Sequence, residues 1–190
     1  MAPSVWTIPN ILTVGRMVAI IPVGLCLAYG GTIGAWVAFG LFCAMSMSDF
    51  LDGWIARRYG MASTFGRVMD PIADKVVIGV MLPVLIGLGL ISGWHAVAVY
   101  LILTREFVIS GLRECLAGDL VIHVTQLAKW KTTMQLVATG VVLLTAALPM
   151  VTPVALILLW FAALLTVLSG VDYLRQAWPT LSHTNPTNTP

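Results

Sequence analysis

Apolar residues run along this chain in six long stretches, approximately 9–29, 33–57, 65–90, 94–116, 127–148 and 153–173, with short breaks between them. Each stretch is close to the ~20 residues that an α-helix needs to cross a bilayer. The breaks carry turn chemistry: Gly30-Gly31-Thr32, Gly60, Ser92-Gly93, and Pro149 with Pro153. The pattern has neither the two-residue alternation of half-buried strands nor an internal repeat. It predicts an all-α polytopic membrane protein: a single domain over residues 1–181 with six transmembrane helices. The remaining 182–190 are rich in Asn, Thr and Pro and are expected to form a disordered tail.

Composition agrees with this picture. Of 190 residues, 59% are hydrophobic and 9% charged, and the mean hydropathy is +0.96; a soluble domain has about 25% charged residues. Cys26, Cys43 and Cys115 lack disulfide or zinc spacing and read as small buried hydrophobes. No signal peptide is expected from the first residues. Trp6, Trp54, Trp94, Trp130 and Trp178 fall near segment ends, as in an interfacial aromatic belt.

The net charge of +2 matters less than its placement. Arg57, Arg58 and Arg67 flank the break between segments two and three. Arg113, Lys129 and Lys131 flank the break between four and five, and Arg175 follows segment six. The other three breaks hold no Lys or Arg. The positive-inside rule then puts both termini and these basic loops in the cytoplasm.

Half of the eight acidic residues lie within one short span: Asp49, Asp52, Asp70 and Asp74. Asp49 and Asp52 share a helix face at the end of segment two. Gly66, Asp70 and Asp74 do so at the start of segment three. Clustered carboxylates repel one another unless something compensates them. Oxygen-only donors without His or Cys select hard cations, magnesium or manganese, and two such ions would suit a phosphoryl displacement. Gly53 and Ala56 leave room either for a ligand or for close helix packing. Arg57 can hold a phosphate or pair with a carboxylate.

Written out, the run is Asp-x2-Asp-Gly-x2-Ala-Arg-x8-Gly-x3-Asp-x3-Asp, from Asp49 to Asp74. It resembles the signature of the CDP-alcohol phosphatidyltransferases, with every fixed position matched: Asp49, Asp52, Gly53, Ala56, Arg57, Gly66, Asp70 and Asp74. The resemblance implies that the four aspartates bind two Mg2+ or Mn2+ ions per active site and that Asp74 is also the general base. It implies that Gly53, Ala56, Arg57, Gly66 and Ser63 line the site for the CDP part of CDP-diacylglycerol, and that the enzyme is a homodimer. No nucleic-acid partner is expected.

The signature fixes the donor chemistry and leaves the acceptor alcohol open. Segment four carries Thr104-Arg105-Glu106 and Arg113-Glu114, and segment five opens on Lys129-Trp130-Lys131-Thr132-Thr133. The two arginines share a face with the two glutamates close by. They either pair with one another or form a basic pocket for an acceptor phosphate. Lys129 and Lys131 are either pocket residues or interfacial anchors. These stretches, with Ile8-Pro9-Asn10-Ile11-Leu12-Thr13-Val14-Gly15-Arg16, are similar to bacterial phosphatidylglycerophosphate synthases, a branch of the same family. That similarity implies sn-glycerol 3-phosphate as acceptor and a site facing the cytoplasm in the inner membrane. It fades in segment six. Asn10 and Thr13 then touch the nucleotide, or else are a helix cap and a helix-facing hydroxyl. Inositol phosphate or serine are alternative acceptors. From another class, a cation-coupled transporter would also place acids in membrane helices, although it would predict acids near mid-membrane and repeated halves.

Overall fold

The structure, a computed structural model, describes residues 7–59, 64–116 and 126–183, with side chains at all of these except 8, 9, 49–59, 64, 67, 127–129 and 180–183. The described residues form six α-helices: α1 Ile8–Tyr29, α2 Gly31–Tyr59, α3 Thr64–Gly87, α4 Ala96–Cys115, α5 Gln126–Leu144 and α6 Thr152–His183. Single 3-10 turns, Gly93–His95 and Pro149–Val151, precede α4 and α6.

Glycine makes the α1–α2 reversal tight enough to need no loop. Gly31 has φ +55, a left-handed conformation that glycine adopts without steric cost. The Gly30 N–H donates to the Cys26 carbonyl at 3.0 Å, and the Gly34 N–H to the Gly30 carbonyl at 2.8 Å. A Cβ on Gly34 would sit 2.3 Å from the Cys26 oxygen, so nothing larger fits. This is why α2 begins at residue 31, two residues before the apolar stretch that announced it.

Three other helix ends depart from the apolar stretches. α5 stops at Leu144, because residues 145–147 tighten into i→i+3 bonds such as Thr145 N–H to the Val142 carbonyl at 3.1 Å. Pro149 then keeps Leu148 out of the helical region, at φ −130 and ψ 83. α3 stops at Gly87, and the positive φ of Gly89 turns the chain. α6 runs on to His183, ten residues past the predicted end and into the stretch expected to be tail.

α1 packs against α2 and α3, α5 against α2, α3 and α6, and α4 against α3 and α6. The core is filled by Met81, Leu82, Leu85, Ile102, Leu143 and Leu159, each almost fully buried. Small residues let the helices approach. Ala38, Ala138 and Ala162 are fully buried, and a Cβ on Gly140 would lie 3.3 Å from the Phe42 ring. Large apolar side chains such as Ile21, Ile33, Tyr100, Ile157 and Leu164 point outward instead. In lipid such a surface costs nothing to expose; in water it would aggregate.

Among the described residues, four stretches are long and apolar enough to cross a membrane: Asn10–Tyr29, Gly31–Ser48, Gly93–Cys115 and Pro149–Pro179. The chain is a membrane protein. α3 has 24 residues and carries Arg67, Asp70, Asp74 and Lys75; α5 has 19 and carries Lys129 and Lys131.

Candidate functional site

Charged side chains inside an apolar bundle need partners, and α1 supplies partners for α3. Asn10, Thr13 and Arg16 recur every three residues along α1 and are all buried. The Thr13 hydroxyl donates to Asp70 Oδ1 at 2.9 Å. Arg16 approaches Asp74 Oδ1 at 3.5 Å, with its own side chain 4% exposed and that of Asp74 44% exposed. Asp70 and Asp74 are one helical turn apart, so both carboxylates face the same way and reach solvent.

Beyond Asp74 a cavity of ≈ 320 Å³ opens among α1, α2, α3, α4 and α5. Among the described residues its charged lining is five cations, Arg16, Lys75, Arg105, Arg113 and Lys131, against two carboxylates, Asp74 and Glu106. Glu106 organises the α4–α5 side. Its Oε1 accepts from Lys131 Nζ and from Gln135 Nε2, the latter at 3.1 Å. Arg105 approaches the same oxygen more loosely, at 3.5 Å. Arg105 is partly buried, 13% exposed at the side chain, and its buried Nε has no hydrogen-bond partner among the described residues. A guanidinium has five N–H donors, so Arg105 keeps donor capacity for an incoming anion. Arg113 is exposed, with its Cζ 5.8 Å from the centre of the Tyr173 ring.

The residues singled out by sequence fall into three groups. Asp74, Arg105, Arg113 and Lys131 line one cavity, and Asp70 lies a turn away on Thr13. Gly66 is buried in α3. Asp49, Asp52, Gly53, Ala56 and Arg57 lie on α2, and Lys129 on α5, with side chains outside the described set; Ser63 lies outside the described residues. On α1 the Thr13 hydroxyl meets Asp70, and Thr7 stands at the N-cap position with Asn10 three residues inside the helix; on α5 Lys131 reaches Glu106. The two arginine–glutamate runs are not equivalent: Glu106 is inside and Glu114 exposed.

Sequence reasoning missed Arg16, Lys75, Gln135 and Thr166. Three of them carried a signal. Arg16 and Gln135 are strongly polar residues within apolar helices, one turn from Thr13 and Lys131, and such residues turn toward a protein interior. Lys75 directly follows Asp74. Thr166 gave none, because a threonine in a membrane helix can satisfy itself on the preceding turn, as Thr166 also does on the Ala162 carbonyl at 2.6 Å.

Among the described residues no three carboxylate, His or Cys side chains gather as a metal site. Asp70 and Asp74 nevertheless offer oxygen-only donors, near solvent and on one face, which suits a hard divalent cation better than zinc. The arrangement can seat a small phosphorylated molecule on the cationic wall with a carboxylate at its edge.

Residues 6–168 match the sequence model of the CDP-alcohol phosphatidyltransferases. A protein of Cereibacter sphaeroides named CDP-diacylglycerol--glycerol-3-phosphate 3-phosphatidyltransferase is 35% identical, across 93% of this chain and 97% of its own length. One of the same name from Rickettsia bellii is 37% identical across 88% of this chain and 93% of its own. Another, from Bacillus subtilis, is 35% identical across 76% and 75%. With the motif, the helical membrane architecture and the matched length in agreement, the chain belongs to the CDP-alcohol phosphatidyltransferase family.

Proposed function

We propose that this protein transfers the phosphatidyl group of CDP-diacylglycerol to sn-glycerol 3-phosphate, forming phosphatidylglycerophosphate and releasing CMP. One observation carries the choice of acceptor: the Asp74 carboxylate opens on a cavity whose described lining residues carry a surplus of cations. A phosphorylated alcohol satisfies that surplus, whereas serine or free inositol would leave it unpaired. The relatives' names support the same acceptor.

In this reading the acceptor phosphate rests on Arg105, Arg113, Lys131 and Lys129. Its hydroxyl then faces Asp74, which takes the hydroxyl proton as the oxygen attacks the phosphorus bearing the diacylglycerol. The bond from that phosphorus to the CMP oxygen breaks, and CMP leaves. Arg16 fixes the orientation of the Asp74 carboxylate, and Thr13 does so for Asp70. Asn10, Thr13, Asp49, Gly53, Ala56, Arg57, Ser63 and Gly66 surround the donor nucleotide. Asp49, Asp52, Asp70 and Asp74 would hold two Mg2+ or Mn2+ ions, which when bound neutralise charge on the donor phosphates.

We place six spans in the bacterial inner membrane, with both termini and the site on the cytoplasmic side. Residues 1–181 would form one domain with a tail at 182–190, and the protein would be a homodimer. Lipid donor then enters sideways from the inner leaflet and the soluble acceptor enters from the cytoplasm. The test offers purified protein labelled CDP-diacylglycerol with sn-glycerol 3-phosphate, inositol phosphate, inositol or serine in turn. Product is expected with sn-glycerol 3-phosphate. Turnover with only another alcohol would overturn the acceptor assignment and leave the donor chemistry standing.

A further inference from the structure

The cationic cavity is lined from five helices, and no described residue of α6 is among them. Yet three α6 residues each touch one of its lining side chains from behind, Gln135, Arg105 and Arg113 in turn. They are Thr166, Gly170 and Tyr173, spaced by four and three, so they form one stripe along the helix. The family match ends at residue 168, before two of the three.

We propose that this stripe is a positioning element that sets how tightly the anionic acceptor is held. The inference rests on the acceptor reading given above. Thr166 is fully buried. Its hydroxyl proton goes to the Ala162 carbonyl at 2.6 Å, so its oxygen is left to accept, and it accepts from Gln135 Nε2 at 2.8 Å. The same Nε2 reaches Glu106 Oε1 at 3.1 Å. Two acceptors on one nitrogen leave the amide a single orientation, with its NH2 toward Glu106. Glu106 in turn holds Lys131 at the cavity wall. Thr166 therefore positions Lys131 through two intermediates, Gln135 and Glu106.

Gly170 acts by being small. A Cβ there would lie 2.9 Å from Arg105 Cγ and 3.4 Å from its Nε. Cγ is near the root of the side chain, so even alanine forces Arg105 off its present path. Tyr173 completes the stripe. Its ring lies under Arg113 and is itself buried against Ile109, Leu116 and Ala177. Without that ring, an exposed arginine has many rotamers to choose from.

The test is a set of variants of the full-length purified protein, read by KM for each substrate, by kcat, and by calorimetric binding of sn-glycerol 3-phosphate. Thr166→Val and Tyr173→Leu are expected to raise the acceptor KM and weaken acceptor binding about fivefold, roughly one hydrogen bond or cation–π contact. The donor KM should stay within about twofold. Gly170→Ala should act in the same direction and more strongly. Thr166→Ser and Tyr173→Phe keep the hydroxyl and the ring, and should restore the parent values. Acceptor values unchanged in both Thr166→Val and Tyr173→Leu would overturn the proposal, and so would parallel rises in both KM values that the conservative variants fail to reverse. If Gly170→Ala does not fold, those two variants decide. Should the parent bind sn-glycerol 3-phosphate but release no CMP, the functional reading fails while the binding arm still judges the stripe. A parent that does not bind it overturns both.

Discussion

Arg105 lies deep in an apolar helix, 13% exposed, with a buried Nε that no described group satisfies. Such a guanidinium is costly in a membrane protein unless something pairs with it, and an acceptor phosphate is a fitting partner. Arg113 sits two turns further along α4 at the cavity mouth. Arg113→Ala should raise the acceptor KM about tenfold, as loss of a charge-assisted bond does, and should leave the donor KM nearly unchanged. Steady-state kinetics with each substrate varied separately checks this, and equal effects would make Arg113 a structural residue. Asp74→Asn keeps size and hydrogen bonding but removes the base. Turnover should fall by about 10²–10⁴-fold, the range for a general base, in a protein that still elutes as the parent does. This scale was partly legible from sequence. Fixed spacing disclosed Asp70 and Asp74, and the helical repeat put Arg105 and Arg113 on one face. The partners that hold them were not legible: Arg16, Gln135 and Thr166 act across helix interfaces, and no spacing along one helix encodes which helix lies next to it.

Hydrophobic runs located all six helices, since a lipid-facing helix must be apolar along its length. Their ends were less legible. The α1–α2 junction depends on the left-handed Gly31 and on the absence of a Cβ at Gly34, while α5 ends at Leu144, where the chain tightens into i→i+3 bonds ahead of Pro149. α6 outran its apolar stretch because its last turns pack Tyr173 and Ala177 onto α4; tertiary contact there replaces hydrophobicity as the reason for helix. Gly34→Val would push a side chain into the Cys26 carbonyl, 2.3 Å from the site of the new Cβ. Overpacking of this kind costs about 1–3 kcal/mol, so thermal unfolding in detergent should occur several degrees lower. An unchanged unfolding temperature would mean that the two helices can separate there at no cost. α1 also carries Thr13 and Arg16 to α3, so part of the effect should appear as lost activity.

Across the whole molecule, Arg16, Asp74, Arg105, Glu106 and Lys131 gather at one end of the bundle. The Gly30–Gly31 reversal and the turns before α4 and α6 lie at the other. With 32 residues, α6 is about 48 Å long, against a hydrocarbon layer of about 30 Å. Its final turns therefore tilt or emerge, on the side where the cavity opens. Cys115, exposed at the end of α4 on that side, reports the orientation. With Cys26→Ala and Cys43→Ala in place, a membrane-impermeant maleimide should label it in inverted vesicles and not in intact cells; the reverse pattern would put the site outside. The chemistry itself is tested most directly by following CMP and lipid product together from purified protein, CDP-diacylglycerol and sn-glycerol 3-phosphate, with and without Mg2+ or Mn2+. Equal amounts of CMP and phosphatidylglycerophosphate, formed only when acceptor and metal are both present, are predicted. A protein that binds the metal and the donor yet yields no CMP with any alcohol would contradict the account.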